Sequence, residues 1–126
     1  MKSFIIAIII ATIMITGSIT YTINIEKISD ELSSHNERVI KLIEDENFDA
    51  AMEIAEFMDK YIDDKKIMLA ATGDHEDIDK MEIYLSELTE YIKGNHKSDA
   101  LAHAKALKTL FEHLPKNYRL KPENIL

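Results

Sequence analysis

The chain has 126 residues, with 15 Lys and Arg against 23 Asp and Glu, so its formal net charge is −8. All of the acidic residues follow position 25, and a domain this acidic argues against nucleic acid, and for most of the domain against anionic lipid surfaces, as partners. The absence of cysteine excludes structural disulfides, thiol catalysis, cysteine-ligated zinc and lipid attachment through cysteine.

The first predicted element is an apolar segment over residues 4–23, which contains no charged residue. At 1.5 Å per residue, about 20 helical residues cross a hydrocarbon core about 30 Å thick. We therefore predict a transmembrane signal anchor over residues 1–24, which contacts the lipid bilayer through residues 4–23. The second half of the segment is less apolar and contains the small residues Gly17 and Ser18, so a cleaved signal peptide remains the alternative.

The charges that flank this segment predict its orientation. Lys2 precedes the segment, whereas Glu26, Asp30 and Glu31 follow it closely. The positive-inside tendency places the N-terminus in the cytoplasm and residues 25–126 outside the cytoplasmic membrane. Both readings of the segment, anchor and signal peptide, export this domain.

Residues 25–126 predict an all-α fold, an antiparallel bundle of about four helices in which the apolar segment continues directly into the first helix. The first helix reaches about Ile43 and lifts the domain clear of the bilayer surface. Its apolar stripe, spaced alternately by three and four residues, consists of Ile25, Ile28, Leu32, His35, Val39 and Leu42.

The second helix begins near Phe48 and ends at Gly73, a residue suited to a helix C-terminus. Its predicted buried stripe consists of Phe48, Ala51, Met52, Ala55, Met58, Ile62 and Leu69. The third helix starts within residues 74–77 and ends at Lys93. Its stripe of Ile78, Met81, Leu85, Leu88 and Ile92 follows a heptad pattern.

The fourth helix starts near Ser98 and is predicted to end at Pro115, because proline lacks the N–H that a helix interior needs. Its stripe consists of Ala100, Ala104, Leu107, Phe111 and Leu114. Four helices joined by short connections favour antiparallel neighbours.

An acidic run at the start of the third helix is the candidate metal site. Its candidate ligands are Asp74, His75, Glu76, Asp77 and Asp79. His75, Glu76 and Asp79 differ by one residue from the H-E-x-x-H motif of zinc proteases. A divalent-cation site is one alternative reading. The other is that these acids only stabilise the start of a helix.

The sequence predicts no catalytic residue and no cofactor, since three glycines in all cannot form a phosphate loop or a dinucleotide fingerprint. His35 interrupts an apolar stripe. It is either a pH-sensitive or register-setting polar residue or a partly exposed histidine at the edge of the stripe.

Three stretches of the sequence resemble one family. They are the Met-Lys-Ser-Phe start before an isoleucine-rich segment, the acidic run followed by Met81-Glu82-Ile83, and the closing Glu123-Asn124-Ile125-Leu126. The chain resembles domain of unknown function 4363, a family of short single-pass helical membrane proteins of Gram-positive bacteria. The resemblance implies a membrane location and a helical fold without an activity. It draws attention to His75, Glu123 and Asn124 as residues of folding or binding.

These observations predict a membrane-anchored helical module that acts through a protein partner or a second copy of itself. A face of small residues on the apolar segment permits helix pairing; it consists of Thr12, Thr16, Gly17 and Thr20. The first alternative is an extracytoplasmic sensor of a ligand or divalent cation that signals through a partner. The second alternative is a metal-dependent hydrolase built on His75, Glu76 and Asp79.

Overall fold

The computed structural model of the protein describes residues 1–72 and 75–117. Four helices follow one another in the chain: α1 (Lys2–Glu44), α2 (Phe48–Thr72), α3 (His75–Lys93) and α4 (Lys97–Asn117). The described residues contain no strand, so the all-α prediction is confirmed.

The four helices close into a ring in which each helix packs on the next and α4 packs on α1. Two hydrogen bonds between α1 and α4 show the direction of packing. Ser29 lies opposite Phe111, and Asn36 lies opposite Ala104. The residue numbers run in opposite directions along the two helices, as in the antiparallel bundle that the sequence predicts.

The bundle core is built from one apolar stripe on each helix. Every predicted stripe residue of α3 and α4 is buried, so both stripes are confirmed. On α2 the fully buried residues are Ala51, Ala55, Met58, Ile62 and Leu69. Phe48 and Met52 lie half-buried at the edge of this stripe.

The stripe of α1 differs from the prediction in its second half. His35 and Leu42 are only half-buried, whereas their neighbours Asn36 and Ile43 are fully buried. The buried stripe shifts by one residue at these two positions, while Val39 stays buried as predicted. Asn36 donates from its side-chain Nδ2 to the Ala104 carbonyl oxygen at 2.8 Å. A polar side chain therefore occupies a core position that the apolar pattern assigns to its neighbour.

The predicted stop at Pro115 is wrong, since α4 continues to Asn117. In a helix, the N–H of residue 115 would donate to the carbonyl of Phe111, and proline has none. The Ser29 hydroxyl donates to that carbonyl instead, at 2.6 Å and in a buried position. A partner on α1 thus replaces the hydrogen bond that the proline removes.

Helices α1 and α3 end in the same way, in a left-handed residue after the last turn. Glu46 has φ of 59° and Asn95 has φ of 57°. The N–H of the following residue then reaches back five positions, from Asn47 to the Leu42 carbonyl and from His96 to the Tyr91 carbonyl. This is the Schellman arrangement.

Helix α1 extends well beyond the bundle at its N-terminal end. Residues 1–17 are exposed, and burial begins with the half-buried Ser18 and Tyr21. The Tyr21 hydroxyl donates to the Met68 carbonyl oxygen on α2 at 3.0 Å. Among the described helices, α1 is the one long and apolar enough to cross a membrane, and a signal sequence has the same properties. We call residues 2–17 the apolar extension.

Candidate functional site

The acidic run at the start of α3 is open and partly paired. His75, Glu76 and Asp79 are exposed, and Asp77 is half-buried. The Glu76 carboxylate lies 3.2 Å from the ammonium group of Lys80, and this contact raises the pKa of Lys80. Glu76 therefore neutralises a lysine one turn along the same helix.

These side chains do not converge on a metal position. Within residues 1–72 and 75–117, no three His, Asp or Glu side chains lie close enough together to hold a metal ion. Asp74 falls outside the described residues, so a site that includes it stays a prediction. Glu123 and Asn124 also fall outside the described residues.

His35 belongs to a surface cluster of rings between α1 and α2, with Phe57 and Tyr61. We call these three residues the aromatic patch. The His35 and Phe57 ring centroids are 4.8 Å apart and tilted, and those of Phe57 and Tyr61 are 6.2 Å apart and stacked. Phe57 remains 49% exposed, so the patch presents an apolar ring to solvent.

Charged groups border the aromatic patch. The ammonium group of Lys65 lies 5.8 Å from the centre of the Tyr61 ring, within the range of a cation–π contact. Burial, together with a hydrogen bond from the phenol to the Glu31 carboxylate, raises the pKa of Tyr61 to about 12. The phenol therefore stays neutral and tied to α1 throughout the physiological range of pH.

A second polar cluster joins α3 to α4 and is not evident from the sequence. His103 directs Nε2 at a Glu87 carboxylate oxygen, 2.5 Å away, and Nδ1 at the Asp99 carbonyl oxygen, 2.9 Å away. Both partners are acceptors, so only the doubly protonated ring donates to both. The ring centroid of Tyr91 lies 4.9 Å from that of His103 and 6.2 Å from that of His96.

Small residues in the apolar extension and just after it lie on one face, as their spacing predicts. Thr12, Thr16, Gly17 and Thr20 line a shallow groove together with Ile13, Tyr21 and Asn24. A side-chain carbon added at Gly17 would meet nothing within 4 Å. The Thr12 hydroxyl donates to the Ile8 carbonyl oxygen at 2.8 Å, which satisfies that hydroxyl within its own helix.

Comparison with known proteins identifies the family. The sequence matches the family described as "Domain of unknown function (DUF4363)" over residues 19–125. This match covers most of the chain, so the protein belongs to that family, as the resemblance in the sequence indicates. The comparisons with curated proteins and with solved structures give no significant match.

Proposed function

We propose that the protein is a membrane-anchored helical module that acts by binding another membrane-associated protein or a second copy of itself. The observation that carries this proposal is the apolar extension of α1, which is continuous with the bundle helix and uncovered by it. Its large apolar side chains, from Phe4 to Ile15, are between 51% and 71% exposed. Moving each into lipid is favourable by about 1.5–3 kcal/mol.

The anchor lies in the cytoplasmic membrane, with the N-terminus inside and the bundle outside. Lys2 at the start of the extension and the acidic residues from Glu26 onward support this orientation. A cleaved signal peptide would release the bundle on the same side. Protease added to intact cells should digest a tag placed after Leu126 and spare a tag placed before Met1.

The aromatic patch is the surface that we assign to the protein partner. Phe57, half exposed between His35 and Tyr61, is an aromatic anchor of the kind that dominates binding energy at interfaces.

A pull-down of tagged full-length protein from native membranes tests this role. We expect a stoichiometric partner or a dimer with the wild type, and loss of that species with Phe57→Ser. Ile83→Ser is the matched control, since Ile83 is also an apolar side chain, 53% exposed, but lies on α3. Recovery of wild-type protein alone and at monomer size would contradict the interaction role.

The two alternative functions receive less support. A metal-dependent hydrolase needs ligands from more than one element, and the described residues bring no three such groups together. A cation sensor at the start of α3 would have to use Glu76, which already pairs with Lys80.

A further inference from the structure

The bundle begins inside the uncharged segment of α1 and not beyond it. The Tyr21 hydroxyl bonds to the Met68 carbonyl of α2, although residues 4–23 are all uncharged. Helical side chains lean toward the N-terminus of their own helix. Met68 therefore lies level with Tyr21 or closer to the free end of the apolar extension.

Helix α2 continues past Met68 toward that free end. It runs antiparallel to α1 and ends at Thr72, four residues further on, or about 6 Å at 1.5 Å per residue. Helix α3 starts close by, at His75, and its register with α2 is fixed by the 2.9 Å ion pair between Lys66 and Glu82. The α2–α3 end of the bundle thus lies about level with Gly17 of α1.

The charges on α3 limit how deep this end can lie. Glu76 is exposed and Asp77 half-buried within the first turn of α3, and charged carboxylates are excluded from hydrocarbon. The hydrocarbon core must therefore stop near this level, which leaves only the apolar extension, roughly 16 residues or about 24 Å, to cross it. A hydrocarbon core is about 30 Å thick, so no length is left over to raise the bundle above the bilayer.

We propose that the bundle is seated on the bilayer and that the last turns of α2 lie in the lipid headgroup layer. This inference rests on the membrane anchoring proposed above. It replaces the expectation that α1 lifts the domain clear of the surface. The headgroup layer is about 5–7 Å thick on each side, and Ile67 lies about 7.5 Å above the end of α2, at the outer edge of that layer.

The side chains at this level fit a headgroup layer. Ile67 is 86% exposed, the highest value for a large apolar side chain in the described part of the bundle. The stretch from Ile67 to Thr72 is uncharged, and Lys65 and Lys66 precede it. The Lys66 ammonium pairs with Glu82 and the Lys65 ammonium lies over the Tyr61 ring, so Ile67 and the uncharged stretch after it are the features that place this level in the headgroup layer.

Tryptophan fluorescence tests the seating directly, because the chain contains no tryptophan. Ile67→Trp gives a single reporter at the proposed lipid level. Glu56→Trp is the matched control, since Glu56 is also exposed on α2 and lies three turns higher, about 16 Å away, on nearly the same face. Each full-length variant is reconstituted into phosphatidylcholine vesicles with brominated acyl chains, and circular dichroism checks that it is folded.

We expect blue-shifted emission from Ile67→Trp, stronger quenching by the brominated chains than for Glu56→Trp, and several-fold weaker quenching by aqueous acrylamide than for Glu56→Trp. Equal acrylamide quenching of the two variants on vesicle-bound protein would overturn the seating and leave the anchor intact. Failure of the full chain to stay with vesicles, or loss of its first residues by cleavage, would overturn the anchor and the seating together.

Discussion

Two buried polar side chains on α1, Ser29 and Asn36, bond to α4 carbonyls but have different consequences for stability. The carbonyl of Ala104 has a regular helical donor in the Lys108 N–H, so Asn36 adds a second donor to it. The Asn36 Oδ1 atom is itself buried without a partner. The Phe111 carbonyl has no helical donor, because residue 115 is proline, and depends on Ser29.

Ser29→Ala should therefore lower the free energy of unfolding by about 1–3 kcal/mol, the cost of a buried carbonyl left without a donor. Pro115→Ala supplies the missing N–H from α4 itself. In the Pro115→Ala background, Ser29→Ala should lower the free energy of unfolding by well under half as much as in the wild type. Denaturant unfolding of the two single variants and the double variant measures this coupling. If Ser29→Ala lowered the free energy of unfolding equally in both backgrounds, the missing N–H of Pro115 would not be the reason that the Phe111 carbonyl depends on Ser29.

Tyr61 should titrate above the ordinary range of a tyrosine phenol. Its pKa is raised from 10.0 to about 12, so the neutral phenol is favoured in the folded state. The resulting stabilisation is complete below pH 10 and disappears as the pH rises through about 12. Ultraviolet absorbance titration should show one late tyrosine, which Tyr61→Phe removes.

Glu31→Gln should lower the pKa of Tyr61 only part of the way, because burial is the larger cause and remains. Glu37→Gln is the matched control on α1, since Glu37 pairs with Lys108 at 2.9 Å and not with Tyr61. A late tyrosine that is unaffected by Tyr61→Phe would contradict the assignment.

At the scale of the helices, apolar spacing could predict most of the architecture. The stripes of α3 and α4 contain only apolar residues at heptad spacing, so one rotation of each helix buries them all. In α1 two overlapping stripes fit the spacing, one through His35 and one through Asn36. The sequence does not reveal which of them faces α4, because the choice depends on a hydrogen bond to Ala104 on another helix.

The surface clusters were harder to predict for the same reason. The contact between Glu87 and His103 joins residues 16 positions apart on different helices, and it depends on how α3 and α4 are rotated. His35 could be singled out from its place in the stripe. Its ring partner Phe57 becomes apparent only when α1 and α2 pack together.

Glu46→Gly should raise the free energy of unfolding by about 1 kcal/mol, because a non-glycine residue in the left-handed region carries a steric cost. Glu46 has φ of 59°, and its ion pair with Lys97 is long, at 3.8 Å, and exposed. Losing that pair therefore costs little. Asn95→Gly is the matched control at the end of α3. Asn95→Gly should raise the free energy of unfolding by less, because asparagine tolerates the left-handed conformation well.

Denaturant midpoints of the two variants, with unchanged slopes, measure this difference. A destabilised Glu46→Gly protein would mean that the Glu46 side chain holds the α1–α2 turn by more than its contact with Lys97.

At the scale of the whole molecule, α1 is one continuous helix in two environments. Its first part, the apolar extension, is exposed throughout. Its second part supplies one wall of the core, from Ile25 to Ile43. The boundary near Ser18 nearly coincides with the start of the family match at residue 19.

Deleting residues 1–17 should therefore leave the bundle folded. The deleted residues are exposed and bury no apolar surface against the core, so the free energy of unfolding should change by less than about 0.5 kcal/mol. Circular dichroism and denaturant unfolding measure this for the truncated protein. The free energy of unfolding of the full chain is measured in detergent micelles for comparison, so that no bilayer contributes to the difference.

The same truncation separates two modes of self-association. If the full chain pairs through the small-residue face of Thr12, Thr16, Gly17 and Thr20, the truncated protein should sediment as a monomer while the full chain in micelles forms dimers. Gly17→Leu should abolish those dimers, because the space that a side chain would fill at Gly17 is open for a second helix. Dimers of the truncated protein would instead place the contact on the bundle, with the aromatic patch as the first surface to mutate.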